Sequence, residues 1–359
     1  MDKVVYLAVA GSGKTYSLCN SINKEKRNFI IAFTNQNISN IRRELLENFQ
    51  CIPENTSITT FHSFIYNDFL RPYEYVVWDK YTNKKPIKTM GITIKDAPES
   101  TYPQFNPYYI KDSEIGHYID SITKKYYCGR ISKLISKCGI TGIINKGVNR
   151  LEKFYDCLYI DEFQDFRKYD YDVLNNIVKR IKIPCYLYGD FYQHSVSGTN
   201  NYGKPFENKT YEDFIRELEE KGFLVDVTTL KDSRRCSNDV CKFVREKLEI
   251  EIYSQGKNEG EIRFITDYDD IKRIILDDDI VKLFYNNAKK QNCRGINWGY
   301  SKGDTYLETC IIIPDNFNLT DINTNKFYVA LTRSKGNVYL LNAKDYKGCL
   351  EKLYSQDKG

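Results

Sequence analysis

The chain has 359 residues, 41% of them apolar, with 53 Lys and Arg against 48 Asp and Glu for a formal charge of +5. That length holds two medium domains with their own cores, and so small a charge excludes binding nucleic acid through a global field, leaving local placement of basic groups. The 11 cysteines include no CxxC pair and no apolar run approaches the roughly 20 residues that span a bilayer, so neither a zinc or disulfide framework nor a membrane helix is expected. The first apolar run, Val4-Val5-Tyr6-Leu7, passes directly into Ala8-Val9-Ala10-Gly11-Ser12-Gly13-Lys14-Thr15 and a helix. With no cleavable leader read there, the expected location is the cytoplasm.

Between strand and helix, small residues let the backbone N–H groups of Ala10, Gly11, Ser12 and Gly13 turn inward around a polyphosphate, facing the positive end of the helix. Lys14 then reaches the outer phosphates and the Thr15 hydroxyl is a Mg²⁺ ligand, with Tyr16 next in line. The runs Phe29–Phe33 and Ser57–Phe61 read as buried parallel strands. From about 66 to 150 five prolines and an amphipathic stretch, Ile115 to Ile135, break the rhythm and read as an insertion. Cys157–Ile160 is another buried strand, ending in Asp161 and Glu162, where open α/β sheets place ligand chemistry. Asp161 is suited to hold Mg²⁺ through water and Glu162 to polarise an attacking water, although two acids at a strand exit are alone no proof of function. A strand at Cys185–Tyr188 leads to Gly189, Asp190 and Gln193, the last a neutral group able to sense a terminal phosphate. After residue 222 the pattern repeats at Leu224–Thr228, Glu261–Ile265, Ile280–Tyr285, Thr309–Ile313 and Val338–Leu341. The fold class expected is α/β with two parallel-sheet layers.

The order of these motifs resembles that of superfamily 1 helicases of the UvrD/Rep type, over nearly the whole chain apart from the insertion. The resemblance rests on the phosphate loop and Asp161-Glu162-Phe163-Gln164-Asp165, together with Ala32-Phe33-Thr34-Asn35 and Thr60-Phe61-His62-Ser63-Phe64. It continues in Ser233-Arg234-Arg235-Cys236-Ser237, Tyr300-Ser301-Lys302-Gly303 and Tyr328-Val329-Ala330-Leu331-Thr332-Arg333-Ser334. It implies two RecA-like cores, the first from 1–65 and 151–222, the second from 223–359, with 66–150 a small, mostly helical insertion in the first. ATP and Mg²⁺ are the implied ligands, bound between cores, with Arg235 and the finger Arg333 brought to the γ-phosphate from the second. Phe33, Asn35, Thr60, Phe61 and His62 on the first core, and Ser301 and Lys302 on the second, are the implied strand contacts; Phe33 and Phe61 read equally as core residues. The activity implied is a 3′-to-5′ DNA helicase or translocase acting on single-stranded or tailed DNA.

Several positions depart from the family. The adenine-reading glutamine motif is not found upstream of the phosphate loop, and Tyr16 and Arg234 have exchanged the types usual at their positions, so either can stack on a base. Tyr202 is the substitute for a strand-stacking tryptophan, and the glutamate usual after the Lys-Gly pair is replaced near Thr305. The segment between Arg235 and Lys302 is too short for the duplex-contacting domain that relatives insert there. A second reading follows: a DNA-sensing regulatory ATPase that gates a partner nuclease, as in phage defence, with little unwinding of its own. A non-motor enzyme of the phosphate-loop class is the third.

Overall fold

The computed structural model describes residues 2–100, 106–194, 206, 209–291 and 293–356. Six parallel strands make the first sheet: β1 Lys3–Leu7, β2 Asn28–Ala32, β3 Thr56–Thr60, β4 Cys157–Asp161, β5 Cys185–Gly189 and β6 Leu224–Asp226, in the order β3-β2-β4-β5-β1-β6. Every residue of β2 and β4 is buried, because helices cover both faces and leave no solvated side to carry an alternating pattern. Phe29, Ile31, Leu158 and Ile160 point to one face, and Ile30, Ala32 and Tyr159 to the other. The first face continues without a break into Phe69, Val77, Tyr118, Tyr126 and Ile131, so the segment 66–150 shares the core of the first sheet.

A second sheet of five parallel strands follows: β7 Ile262–Phe264, β8 Ile280–Phe284, β9 Gly295–Asn297, β10 Glu308–Ile313 and β11 Val338–Asn342, in the order β7-β11-β10-β8-β9. The fold is therefore α/β with two parallel sheets, consistent with two RecA-like cores. Among the described residues no helix is long and apolar enough to cross a membrane.

One strand is placed differently from the reading of the sequence. Leu224–Asp226 pairs in parallel with Val4–Tyr6 and completes the first sheet, so a boundary at 222/223 cuts through that sheet. The amphipathic stretch Ile115 to Ile135 holds a short turn at Ile115–His117, the strand Tyr126–Tyr127 and most of the helix Cys128–Lys137. Tyr126–Tyr127 pairs with Ile92–Thr93, a local ladder that competes with helix for those residues.

Candidate nucleotide site between the two sheets

Strand register sets the site. Leu7 lies opposite Gly189, and Asp161 opposite Tyr188, so β1, β4 and β5 end level and their exits share one rim. The helix α1 (Lys14–Asn20) begins there, with Gly13 at its N-cap in the left-handed region, φ 87°. Gly11 is also left-handed, φ 74°, and the two turns invert the backbone between strand and helix. Among the described residues nothing accepts a hydrogen bond from the backbone N–H of Gly11, Gly13, Lys14 or Thr15. Those donors, with the helix dipole behind them, form an anion cradle. A Cβ on Gly11 would come within 2.6 Å of Arg235 Cβ and 2.7 Å of Ser233 Oγ. Gly11→Ala is accordingly expected to cost about 1–2 kcal/mol in a urea melt through the positive φ alone, and to weaken nucleotide binding as the 233–235 segment retreats.

The acids sit on the opposite side of the cradle. Lys14 Nζ is 3.7 Å from Glu162 Oε1, with the two side chains 11% and 17% exposed. Burial would lower the Lys14 pKa, but Glu162, Asp190 and Asp161 outweigh it and hold the ammonium above its ordinary value. Asp161 is pushed up by burial and then by its neighbour Glu162; Glu162, despite burial, is pulled down by Lys14 and Lys302. Glu162 itself has φ 53°, a conformation that costs a non-glycine residue about 1–3 kcal/mol and aims its carboxylate at Lys14. The Gln164 amide fixes it there, donating to Glu162 Oε2 at 2.5 Å while its carbonyl accepts from Asp190 N at 3.1 Å. Gln193 donates to Asp190 Oδ2 at 2.6 Å.

The second half of the chain closes the site. Arg235 Nη1 donates to Thr332 O at 3.0 Å, and Arg333 is held by Val329 O at 2.9 Å, Thr332 Oγ1 at 3.2 Å and Asp304 O at 3.4 Å. Burial, then the charge of Arg235, lowers Arg333 to about 10, so it stays cationic at neutral pH. Arg234 N donates to Gly11 O at 2.9 Å, and Tyr328 Oη accepts from Ala10 N at 2.7 Å and lies 3.3 Å from Asp190 Oδ2. Val9 and Ala10 of the phosphate loop thus share a core with Tyr328 and Leu331. Lys14, Arg235 and Arg333 converge in one place with Glu162, rather than facing separate clefts. Sequence reasoning quoted Tyr328 and Gln164 inside motifs but gave them no role; only the fold shows that they bridge the two sheets and the two acid loops.

A divalent cation fits this donor set. Asp161 Oδ2 is buried and has no hydrogen-bond partner, and α1, with Thr15 in its first turn, packs against the strand that ends in Asp161. Mg²⁺ is commonly held by one or two protein oxygens plus substrate phosphates and water, so a buried carboxylate oxygen with a hydroxyl is a sufficient protein donor set.

Tyr16 and Arg234 stack on each other, the guanidinium 4.2 Å from the ring centroid, both exposed at the mouth of the loop. The strand contacts fare less evenly. Phe33 is partly buried, edge-on to Phe166 at 5.7 Å; Asn35 is exposed at the start of its helix; His62 is partly exposed with Nε2 3.6 Å from Asp170 Oδ2. Phe61 is 1% exposed and packs on Phe166, so it is a core residue and offers no stacking face. Thr60 Oγ1 caps a helix by accepting from Ser63 N. Ser301 is fully buried and donates to Trp298 O, and Lys302 is turned inward to Asp165, which withdraws both from a strand track. Tyr202 lies outside the described residues.

No protein-family model matches the chain, and no curated protein matches it in sequence. Solved structures are similar to it in fold. The crystal structure of Arterivirus nonstructural protein 10, a helicase, is similar over 96% of this chain and 61% of its own, at 12% identity and a TM-score of 0.50. The same helicase in complex with DNA aligns over 97% and 63%, at 13% identity and 0.49, and the helicase of PRRSV over 95% and 52%, at 13% and 0.47. The chain spans less than two thirds of the length of each, and the likeness is one of fold.

Proposed function

We propose that this protein is an ATP-dependent nucleic-acid motor of the UvrD/Rep type, which hydrolyses ATP between its two cores and acts as a 3′-to-5′ DNA helicase or translocase on single-stranded or tailed DNA. The observation that carries the reading is the meeting of Lys14 and Glu162 from the first sheet with Arg235 and Arg333 from the second. Three cations meet there beside the acids: three carboxylates keep Lys14 above its ordinary pKa, while burial and then the repulsion of Arg235 lower Arg333. A triphosphate relieves that repulsion and is gripped from both sides, so its arrival favours closure and loss of the γ-phosphate favours release.

In this reading the chain's own groups divide the work. Backbone N–H groups of Gly11, Gly13, Lys14 and Thr15 cradle the phosphates, Lys14 and the two arginines neutralise charge that grows on the γ-oxygens, and Glu162 orients and deprotonates the attacking water. Thr15 and Asp161 would hold Mg²⁺, which would supply further neutralisation of phosphate charge. The base stacks between Tyr16 and Arg234 once these part. Alanine at either position is then expected to raise KM for ATP about tenfold with kcat unchanged, and the double variant to be little worse than either single, because each alone breaks the sandwich. Steady-state kinetics check this.

Strand contact is assigned to Phe33, Asn35 and His62, the accessible members of the first-core set, which grip without reading sequence. The deciding experiment measures ATP hydrolysis with oligo-dT, oligo-U, blunt duplex and no nucleic acid. Strong stimulation by single-stranded DNA is expected; turnover indifferent to all of them would return the protein to the non-motor class, and stimulation without strand separation on a tailed duplex would favour the nuclease-gating sensor.

A further inference from the structure

Lys302 sits on a turn between β9 and β10 that the fold holds rigidly. Trp298, fully buried, donates its indole N–H to Leu283 O at 2.9 Å, Ser301 Oγ donates to Trp298 O at 2.7 Å, and Asp304 N to Ser301 O at 3.1 Å. From that turn the Lys302 side chain crosses to the other sheet, Nζ lying 2.5 Å from Asp165 Oδ1 and 3.5 Å from Gln193 O, with the paired side chains 9% and 3% exposed.

The ammonium is three hydrogen bonds from the hydrolytic carboxylate. Gln164 Nε2 reaches the same Asp165 Oδ1 at 3.5 Å and Glu162 Oε2 at 2.5 Å, and its orientation is fixed because its oxygen accepts from Asp190 N. The other side of the same turn holds the finger: Asp304 O accepts from Arg333 Nη1 at 3.4 Å. One turn of the second core therefore grips an arginine of its own and, through Lys302, the acid loop of the first.

A buried ion pair is a poor source of stability, because two desolvated charges offset most of their attraction, but removing one partner leaves the other stranded and is costly. Asp165 is already pushed up to about 6 by burial, with Lys302 the main group opposing the rise. Such a pair is formed fully only when the cores are together, which makes it a register device for closure. We propose that Lys302 is a positioning residue for hydrolysis, by which the second core sets the Asp165-Gln164-Glu162 chain at closure; this rests on the hydrolysis reading above.

The test compares wild type, Lys302→Met, Asp165→Asn and the double variant at saturating oligo-dT, with melting temperature and strand affinity measured beside the kinetics. Lys302→Met is expected to lower kcat on the order of 100-fold, the scale of a misplaced reacting group, with KM for ATP and affinity for oligo-dT within about twofold. The double variant leaves no stranded charge, so it regains the wild-type melting temperature while kcat stays low. A double variant with wild-type kcat makes the pair merely structural and overturns the proposal, even if Lys302→Met alone fails to fold. Lost strand affinity with intact kcat overturns it too, returning Lys302 to the strand track. Wild type without any turnover sinks the hydrolysis reading beneath it, an outcome distinct from both.

Discussion

Glu162→Gln is expected to bind ATP and fail to hydrolyse it, with kcat about a thousandfold down, within the usual range for removing a general base. The change is isosteric, so the left-handed backbone at Glu162 and the Gln164 contact survive in outline. The lost charge acts on its two neighbours in opposite senses. Lys14 loses its partner at 3.7 Å, while Asp161 loses the like charge that, after burial, does most to raise its pKa. A more acidic Asp161 is a better cation ligand, so nucleotide affinity is held or improved as turnover disappears. Lys14→Ala contrasts with it: three acids lose their compensating cation and the phosphates lose a donor, so affinity and kcat both fall, kcat by on the order of 100–1000-fold. Fluorescent-nucleotide binding alongside steady-state hydrolysis separates the two patterns. A Glu162→Gln protein with more than about a tenth of wild-type turnover would remove Glu162 from the chemistry, given the size of the effect a base exerts.

The level rim of β1, β4 and β5 was legible because each strand is buried on both faces and so announces itself as an unbroken apolar run ending in a chemical motif: Leu7 before the phosphate loop, Ile160 before the acids, Tyr188 before Gly189 and Asp190. Which sheet a strand joins is not encoded in its own pattern. Leu224–Asp226 looks like the strands after it, and only its pairing with Val4–Tyr6 assigns it to the first sheet. The direction of a side chain is equally silent: Phe61 alternates like a stacking residue and like a core residue, and the rings of Phe64 and Phe166 decide for the core. Lys302 is the sharpest case. A lysine on a loop suits a phosphate backbone or a carboxylate, and the choice depends on Asp165, 137 positions away in sequence. Tyr16 and Arg234, distant in sequence, were each read as able to stack on a base, and the fold brings them face to face across the seam.

Arg333→Ala carries the other large effect, because it asks whether the second core takes part in the chemistry or only packs against it. The side chain is 2% exposed and its guanidinium is oriented by three acceptors of its own core, leaving its charge directed at the seam, where Glu162 feels it. A finger of this kind is worth about 10³–10⁵ in kcat where phosphoryl transfer depends on it, and kcat is expected to drop about a thousandfold. Lysine should not rescue it, since a single ammonium cannot satisfy Val329 O, Thr332 Oγ1 and Asp304 O together and still face a phosphate. Stability gives an independent readout. Without nucleotide, Arg333 and Arg235 repel each other in a buried space, so removing Arg333 relieves one term while abandoning three acceptors. With ATP bound, the same repulsion is neutralised in the wild type only. The rise in melting temperature on adding a non-hydrolysable ATP analogue should therefore be smaller in Arg333→Ala than in wild type, as linkage requires when a ligand loses one of its contacts. Full turnover together with an unchanged thermal shift would mean that the triphosphate is bound by the first core alone, and the two halves of the molecule would have no nucleotide through which to move each other.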